Sequence, residues 1–371
     1  MKYVIFLILL LSSISNIYSW ELFNAVTNSQ RTIKKVSHHF TFKGIPPLKN
    51  KDMFTAVNDM SILQKKSVRK HLAIYLSLRR DVIKRAIVRS FRYLPTVVQI
   101  FKKKSNIPLE ISLLPLLESG FCPVAVSRSR AVGLWQFMYY TALGVNLKIN
   151  RYIDERRNIE KSTKAAIRHL NNLYKQFKNW ELALAAYNGG GGYLRRTMGR
   201  HGIYDFWTLM KKGHLKRETA EYVPKFIAFL LIFNNKKLFD IDDECKKPEI
   251  FKIKSYNIKK PVYLWHLAKM AGISIRKLKF YNPELIGYVT PVYLKSYMIF
   301  LPEKNIKILK KNKSKLHTVR VRALRKYIVR KGDTIWGISR RYRISGIRLI
   351  RYNNIKSPSL IQPGRVIFIP Y

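Results

Sequence analysis

Two stretches in the C-terminal part of the chain can be laid on one another without a gap. Pro261-Val262-Tyr263-Leu264-Trp265-His266-Leu267-Ala268 aligns with Gly332-Asp333-Thr334-Ile335-Trp336-Gly337-Ile338-Ser339, and the same offset pairs Tyr281-Asn282 with Tyr352-Asn353. Each copy closes on an apolar run before a proline, Met298 to Pro302 and Val366 to Pro370. A repeat of this kind confines both copies to one plan. The pattern reads strand, helix, helix, strand in under about 55 residues, near the small end of domain sizes. The two α+β units are expected at 253–304 and 323–371.

Upstream, apolar residues keep helical spacing, so the fold class is mainly α. Leu72, Leu76, Val82, Ile83, Ile87 and Phe91 follow a helical stripe within 67–104, which Pro95 is expected to interrupt. Pro108 can open a helix that runs to Glu118, is kinked by Pro115 and stops at Gly120. Ser162 is expected to cap a helix carrying Ile167, Leu170, Tyr174 and Phe177. Asn179 can cap the next, with Trp180, Leu184 and Tyr187 on one face, ending at four glycines, 189–192. Phe226 to Phe233 reads as a core helix. A helical domain is therefore expected at 67–239, with Asp240 to Glu249 as a charged linker and 20–66 without an assigned role.

Lys2, the apolar run Tyr3 to Leu11 and the small residues after it have the layout of an export signal, expected to occupy 1–19 with cleavage after Ser15 or Ser19. Neither Cys122 nor Cys245 follows that segment closely, so lipid attachment is not expected. Export permits a disulfide between them, although two separate buried thiols are the favoured reading. The net charge is +50. The basic residues are spread along the whole chain and form no nucleic-acid motif, so no specific nucleic acid is expected. Peripheral contact with anionic envelope surfaces remains compatible with that charge. The histidines form no metal-ligand spacing, and neither metal nor cofactor is expected.

Glu118 ends a strongly apolar segment and stands beside Phe121. Desolvation there raises a carboxyl pKa and suits the group to general acid catalysis near neutral pH. In Gly133 to Met138, an extended backbone would put Gln136 and Met138 on one face and Trp135 and Phe137 on the other. Gln can bond a sugar hydroxyl or acetamide, and Met can fill irregular space beside it. Tyr187 and Asn188 add a phenol and an amide at a helix end.

In this order, Glu118-Ser119-Gly120-Phe121, GLWQFM at 133–138, DERRNIEKSTKAAIRHLNNLY at 154–174, NWELALAAYNGGGG at 179–192 and RETAEYVPKF at 217–226 resemble the membrane-bound lytic transglycosylase D family. The likeness covers about 68–305 and implies a lysozyme-like helical catalytic domain acting on peptidoglycan. It implies Glu118 as acid/base, with Ser127, Gln136, Met138, Tyr187, Asn188 and Glu218 as substrate-groove residues. The family's usual AYNAGPG is AYNGGGG here, which predicts a floppier loop.

The last unit resembles a LysM module. That likeness implies N-acetylglucosamine binding between Gly332, Asp333 and Thr334 and the loop at Ile361 and Gln362. The first copy has Pro261-Val262 at the turn and is expected to bind sugar weakly or not at all. One acid/base suits intramolecular attack by the C6 hydroxyl of the muramoyl residue, giving a 1,6-anhydro end. Asp154 and Glu155 are expected to be scaffold carboxylates flanked by Arg156 and Arg157. The alternatives are a hydrolytic muramidase using Glu218 or Asp154 as a second carboxylate, and an inactive wall-binding protein.

Overall fold

The computed structural model describes residues 65–104, 107–236, 239, 241, 253–319, 325–353, 355, 357–359 and 361–369. The expected export signal, nearly all of 20–66, most of the charged linker and Cys245 lie outside the described residues. The chain divides into one compact unit of 1–121 with 167–248 and a second of 122–166 with 249–371. No helix among the described residues is long and apolar enough to cross a membrane.

The first unit is helical and is organised around the helix Arg217–Asn234. Tyr222, Val223 and the whole run Phe226 to Phe233 are buried, so the last turns of this helix are covered on every side. It packs against the helices Lys66–Leu76, Trp180–Gly189 and Leu114–Ser119. Burying each such Phe or Leu side chain stabilises the fold by about 1.5–3 kcal/mol. The expected core helix is thus the hub of this unit.

Pro95 does not interrupt the helix Arg80–Lys104 but lies inside it. Pro95 is exposed, so the carbonyl that loses its intrahelical partner, four residues earlier, lies on a wet face. Pro115 does not kink a helix. The segment runs as a 3-10 turn, Leu109–Leu113, followed by the helix Leu114–Ser119, with Pro115 in its first turn, where no N–H is needed. Ser162 is not the cap of its helix. Ile159–Phe177 begins three residues earlier, Asn158 Oδ1 accepts from the Lys161 N–H at 2.9 Å, and Ser162 is fully buried. Asn179 does cap its helix, accepting from the Leu182 N–H at 2.8 Å.

In the second unit both repeats fold as strand, helix, helix, strand. In the first module β1 (Ile253–Ile258) pairs antiparallel with β2 (Tyr297–Pro302), enclosing the helices Leu264–Met270 and Ile275–Tyr281. In the second, β3 (Arg325–Ile328) pairs with β4 (Val366–Ile369), enclosing Ile335–Arg341 and Gly346–Asn353. Their cores match position by position: Leu264, Leu267 and Leu278 in one, Ile335, Ile338 and Leu349 in the other.

The repeated asparagine explains itself in this frame. Asn282 Nδ2 donates to the Leu278 and Phe300 carbonyls and its Oδ1 accepts from the Phe300 N–H. Asn353 makes the same three bonds to Leu349 and Phe368. Each side chain pins the second helix of its module to the closing strand. The first module does not stop at 304: the helix Glu303–Lys311 packs on β1 and β2 through Ile306 and Leu309.

Candidate active site

Glu118 is the penultimate residue of the helix Leu114–Ser119. The chain leaves that helix through two successive left-handed residues, Gly120 (φ 55°) and Phe121 (φ 56°). The Phe121 ring is fully buried, which offsets the cost of a left-handed non-glycine residue. Arg89 Nε donates to the Gly120 carbonyl at 2.6 Å. A Cβ on Gly120 would meet Arg89 Nη2 at 2.6 Å, so only glycine fits without moving the guanidinium.

Two other helices of the same unit deliver the groups around this carboxylate. Tyr222, from Arg217–Asn234, donates its hydroxyl to Glu118 Oε1. Tyr187, near the end of Trp180–Gly189, lies close enough to feel the Glu118 charge. Burial raises the Glu118 pKa to about 7, opposed by the Tyr222 hydrogen bond and helped by the nearby negative charge of Glu218. Burial and the Glu118 charge also push both tyrosines well above their usual range, so both remain neutral hydroxyls.

Asn188 ties the second and third helices together. Its Oδ1 accepts from Thr219 Oγ1 at 3.1 Å and its Nδ2 donates to Glu218 Oε1 at 3.4 Å. The glycines after it form no loose loop. Gly189 ends one helix, Gly190 makes the junction at φ 92° and Gly191 starts the helix Gly191–His201. A Cβ on Gly189 would meet Thr219 Oγ1 at 2.6 Å.

Glu118, Tyr187, Asn188 and Glu218 are therefore brought together in the first unit. The sequence reading missed Tyr222. Its signal was the i, i+4 spacing from Glu218, which puts both on one helix face. It also missed His169, whose imidazole packs against the Tyr187 ring at 5.4 Å and whose pKa is lowered by burial.

Ser127, Gln136 and Met138 belong to the second unit. Gln136 is not in a strand. It sits at φ 48° in a turn closed by pairing of Val132 with Phe137. The expected sorting of side chains nevertheless occurs: Trp135 and Phe137 are buried, Gln136 is partly exposed and Met138 is exposed. Gln136 Nε2 donates to the Gly133 carbonyl at 2.9 Å, which orients its amide. Ser127 Oγ accepts from the Ala131 N–H at 3.0 Å and closes the 127–131 loop.

Asp154 is bound through both oxygens by Arg156, at 2.9 and 2.7 Å. Glu155 pairs with Lys161 at 2.6 Å rather than with Arg157. Among the described residues no group of His, Cys, Asp and Glu could hold a metal ion.

In the second module Gly332 takes φ 85°, Asp333 Oδ2 accepts from Tyr327 Oη at 2.6 Å and from the Arg330 N–H at 2.8 Å, and Thr334 caps the next helix. Val329 exchanges backbone hydrogen bonds with Gly364 and Arg365, which sets this turn beside the 361–364 loop. Ile361 packs on the module core and Gln362 is exposed.

The transglycosylase SLT domain family matches residues 97–210, the LysM-like domain of lytic transglycosylase MltD matches 253–318, and the LysM domain family matches 327–370. An SLT transglycosylase domain match is thus followed by two LysM-type matches, in that order along the chain. The chain is 32% identical over 286 residues to membrane-bound lytic murein transglycosylase D of Escherichia coli K12, covering 72% of this chain and 61% of that protein. The same protein of E. coli O6:H1 matches equally. The chain thus spans about three-fifths of the length of the curated relatives it matches. Among solved structures, the 70 kDa soluble lytic transglycosylase of E. coli is similar at 14% identity and a TM-score of 0.36, over 62% of this chain and 45% of that one.

Proposed function

We propose that the protein is a peptidoglycan lytic transglycosylase in which Glu118 is the single acid/base. The observation that carries this is the Glu118 carboxyl itself, lifted to about 7 and bonded by Tyr222. A carboxyl lifted so far remains protonated often enough at neutral pH to act as the acid, and its conjugate base is basic enough to take a proton back in the second half. Protonated Glu118 donates to the glycosidic oxygen as the bond to the muramoyl C1 breaks. The carboxylate so formed accepts the proton of the C6 hydroxyl while that oxygen bonds to C1. One strand ends in a 1,6-anhydro ring, the other in a free hydroxyl, and no water is consumed. The attacking hydroxyl is held on the substrate, which raises its effective concentration.

Gln136 and Met138 would contact the saccharide, with Ser127, Asn188 and Glu218 lining the groove. The second module would hold N-acetylglucosamine at Gly332, Asp333, Thr334, Ile361 and Gln362 and keep the enzyme on the wall. The N-terminal signal would send it to the periplasm or cell envelope, where its charge allows peripheral contact with anionic surfaces. Asp154 is a poor second carboxylate for hydrolysis, because Arg156 occupies both its oxygens.

Mass spectrometry of fragments released from purified sacculi tests this reading. Anhydro-muramoyl ends are expected. Reducing muramoyl ends would make the protein a hydrolase, and no release would make it a binding protein.

A further inference from the structure

The two repeats differ where LysM turns are open. In the second module the turn at Gly332 leads directly into a capped helix. In the first, the chain beyond the repeat returns over the equivalent turn: Val262 bridges Thr318 and the Val319 N–H donates to the Pro261 carbonyl at 2.8 Å. Val262 is fully buried and its N–H is bonded to Thr290 Oγ1 at 3.0 Å. The first module thus covers a turn whose counterpart in the second, at Gly332 and Thr334, is exposed among the described residues.

What the first module does contact is the 122–166 segment of its own unit. Tyr152 and Ile153 are members of its hydrophobic core. Ile153 bridges Leu285, and the Ile286 and Gly287 N–H groups both donate to the Tyr152 carbonyl. Glu284 is at the centre of this seam and is 2% exposed. Its carbonyl accepts from the Asp154 N–H at 2.9 Å. Its carboxylate accepts from Asn158 Nδ2 at 3.0 Å and from Tyr297 Oη at 3.2 Å. Engaging the Asn158 amide from that side turns Oδ1 toward the Lys161 N–H it caps.

From Asp154 the connection continues to the hairpin. Asp154 clamps Arg156, and Arg156 Nη1 donates to the Phe137 carbonyl at 3.1 Å and the Arg130 carbonyl at 3.4 Å. The Phe137 carbonyl lies in the backbone between Gln136 and Met138. These links are buried hydrogen bonds or close packing, except the part-buried bond to Arg130, so removing the Glu284 carboxylate leaves Asn158 Nδ2 and Tyr297 Oη without their buried partner at the root of the route.

We propose that the first module is a fixed scaffold for the hairpin that carries Gln136 and Met138, with Glu284 as its positioning residue. Only the kinetic half of the test rests on the transglycosylase reading.

The test compares Glu284→Ala, Glu284→Gln and Asn158→Asp in the full chain. Asn158→Asp keeps an oxygen for the Lys161 N–H but sets a second carboxylate against Glu284, so it covers the case in which Glu284→Ala does not fold. Hydrogen exchange in the 131–138 peptide is expected to accelerate about tenfold in Glu284→Ala and Asn158→Asp. KM for glycan strands is expected to rise about tenfold with kcat little changed, as a displaced binding hairpin requires. Glu284→Gln still offers an acceptor to Asn158 and Tyr297 and should restore both readouts. Unchanged exchange at 131–138 in a folded variant overturns the proposal, as does a rise spread evenly over the chain. Faster hairpin exchange with unaltered KM keeps the scaffold and instead removes Gln136 and Met138 from the substrate groove.

Discussion

Tyr222 donates its hydroxyl hydrogen bond to Oε1 of Glu118 across 104 residues of sequence, joining the central helix of the first unit to the carboxyl proposed as the acid/base. The bond favours the ionised form and so opposes the effect of burial. Tyr222→Phe should therefore move the alkaline limb of the pH–rate profile upward. Loss of a hydrogen bond to a charged group should also lower kcat roughly ten- to a hundredfold. A profile measured across pH 5 to about 9 decides it, since these limbs report the pKa values of the catalytic groups.

Glu118→Gln should reduce anhydro-product formation by at least about 10²–10⁴-fold while wall binding persists. In wild type the rate should fall as pH rises through about 7, where the acid loses its proton. Stability shows the same group with a definite sign. The folded pKa lies above the unfolded one, so any stability linked to the proton is complete below the ordinary glutamate range and lost as pH rises through about 7. The Gln variant cannot ionise. It should therefore unfold at higher denaturant than wild type above pH 7, by about 1–3 kcal/mol, and lose that advantage at low pH.

Gly120→Ala should impair both folding and turnover. The site combines φ 55° with a Cβ position 2.6 Å from Arg89 Nη2. Left-handed backbone costs a non-glycine residue about 1 kcal/mol or more, and displacement of Arg89 from the Gly120 carbonyl adds to it. Thermal unfolding should show the loss, and kcat per folded molecule should fall because the backbone two residues after Glu118 shifts.

Asp333→Ala should separate wall affinity from catalysis. The change strips the partner from the Tyr327 hydroxyl and the Arg330 N–H and loosens the turn at Gly332. Saturable binding of neutral N-acetylglucosamine oligosaccharides should weaken about tenfold or more, while turnover of short soluble glycan fragments stays near wild type. Salt-sensitive retention on the wall should remain, because the basic charge is untouched.

Much of this architecture was legible because local rules and tertiary packing agree. The ungapped repeat foretold both modules, and Asn282 and Asn353 recur because each bonds the same two backbone groups of its closing strand. Asn179 has the side chain a helix start needs and caps one. Prolines were read less well. Pro95 continues a helix because its face is wet, a property of the surroundings rather than of the residue. Ser162 was an acceptable cap by composition, but Asn158 lies one turn earlier and is held in place by Glu284, far along the chain.

The sequence by itself determined the mainly helical class with two small α+β modules, and it singled out Glu118 as the candidate acid/base together with the order of the motifs around it. These follow from periodicity, residue type and short spacings, all properties of neighbouring residues. Only the tertiary structure decided that Tyr222 touches that carboxyl, that Asp154 is occupied by Arg156, and that the first module is built into the seam beside the 131–138 hairpin. Those relations join residues that no local pattern pairs. They come from burial, which makes each desolvated donor or charge find a partner wherever the packed chain supplies one.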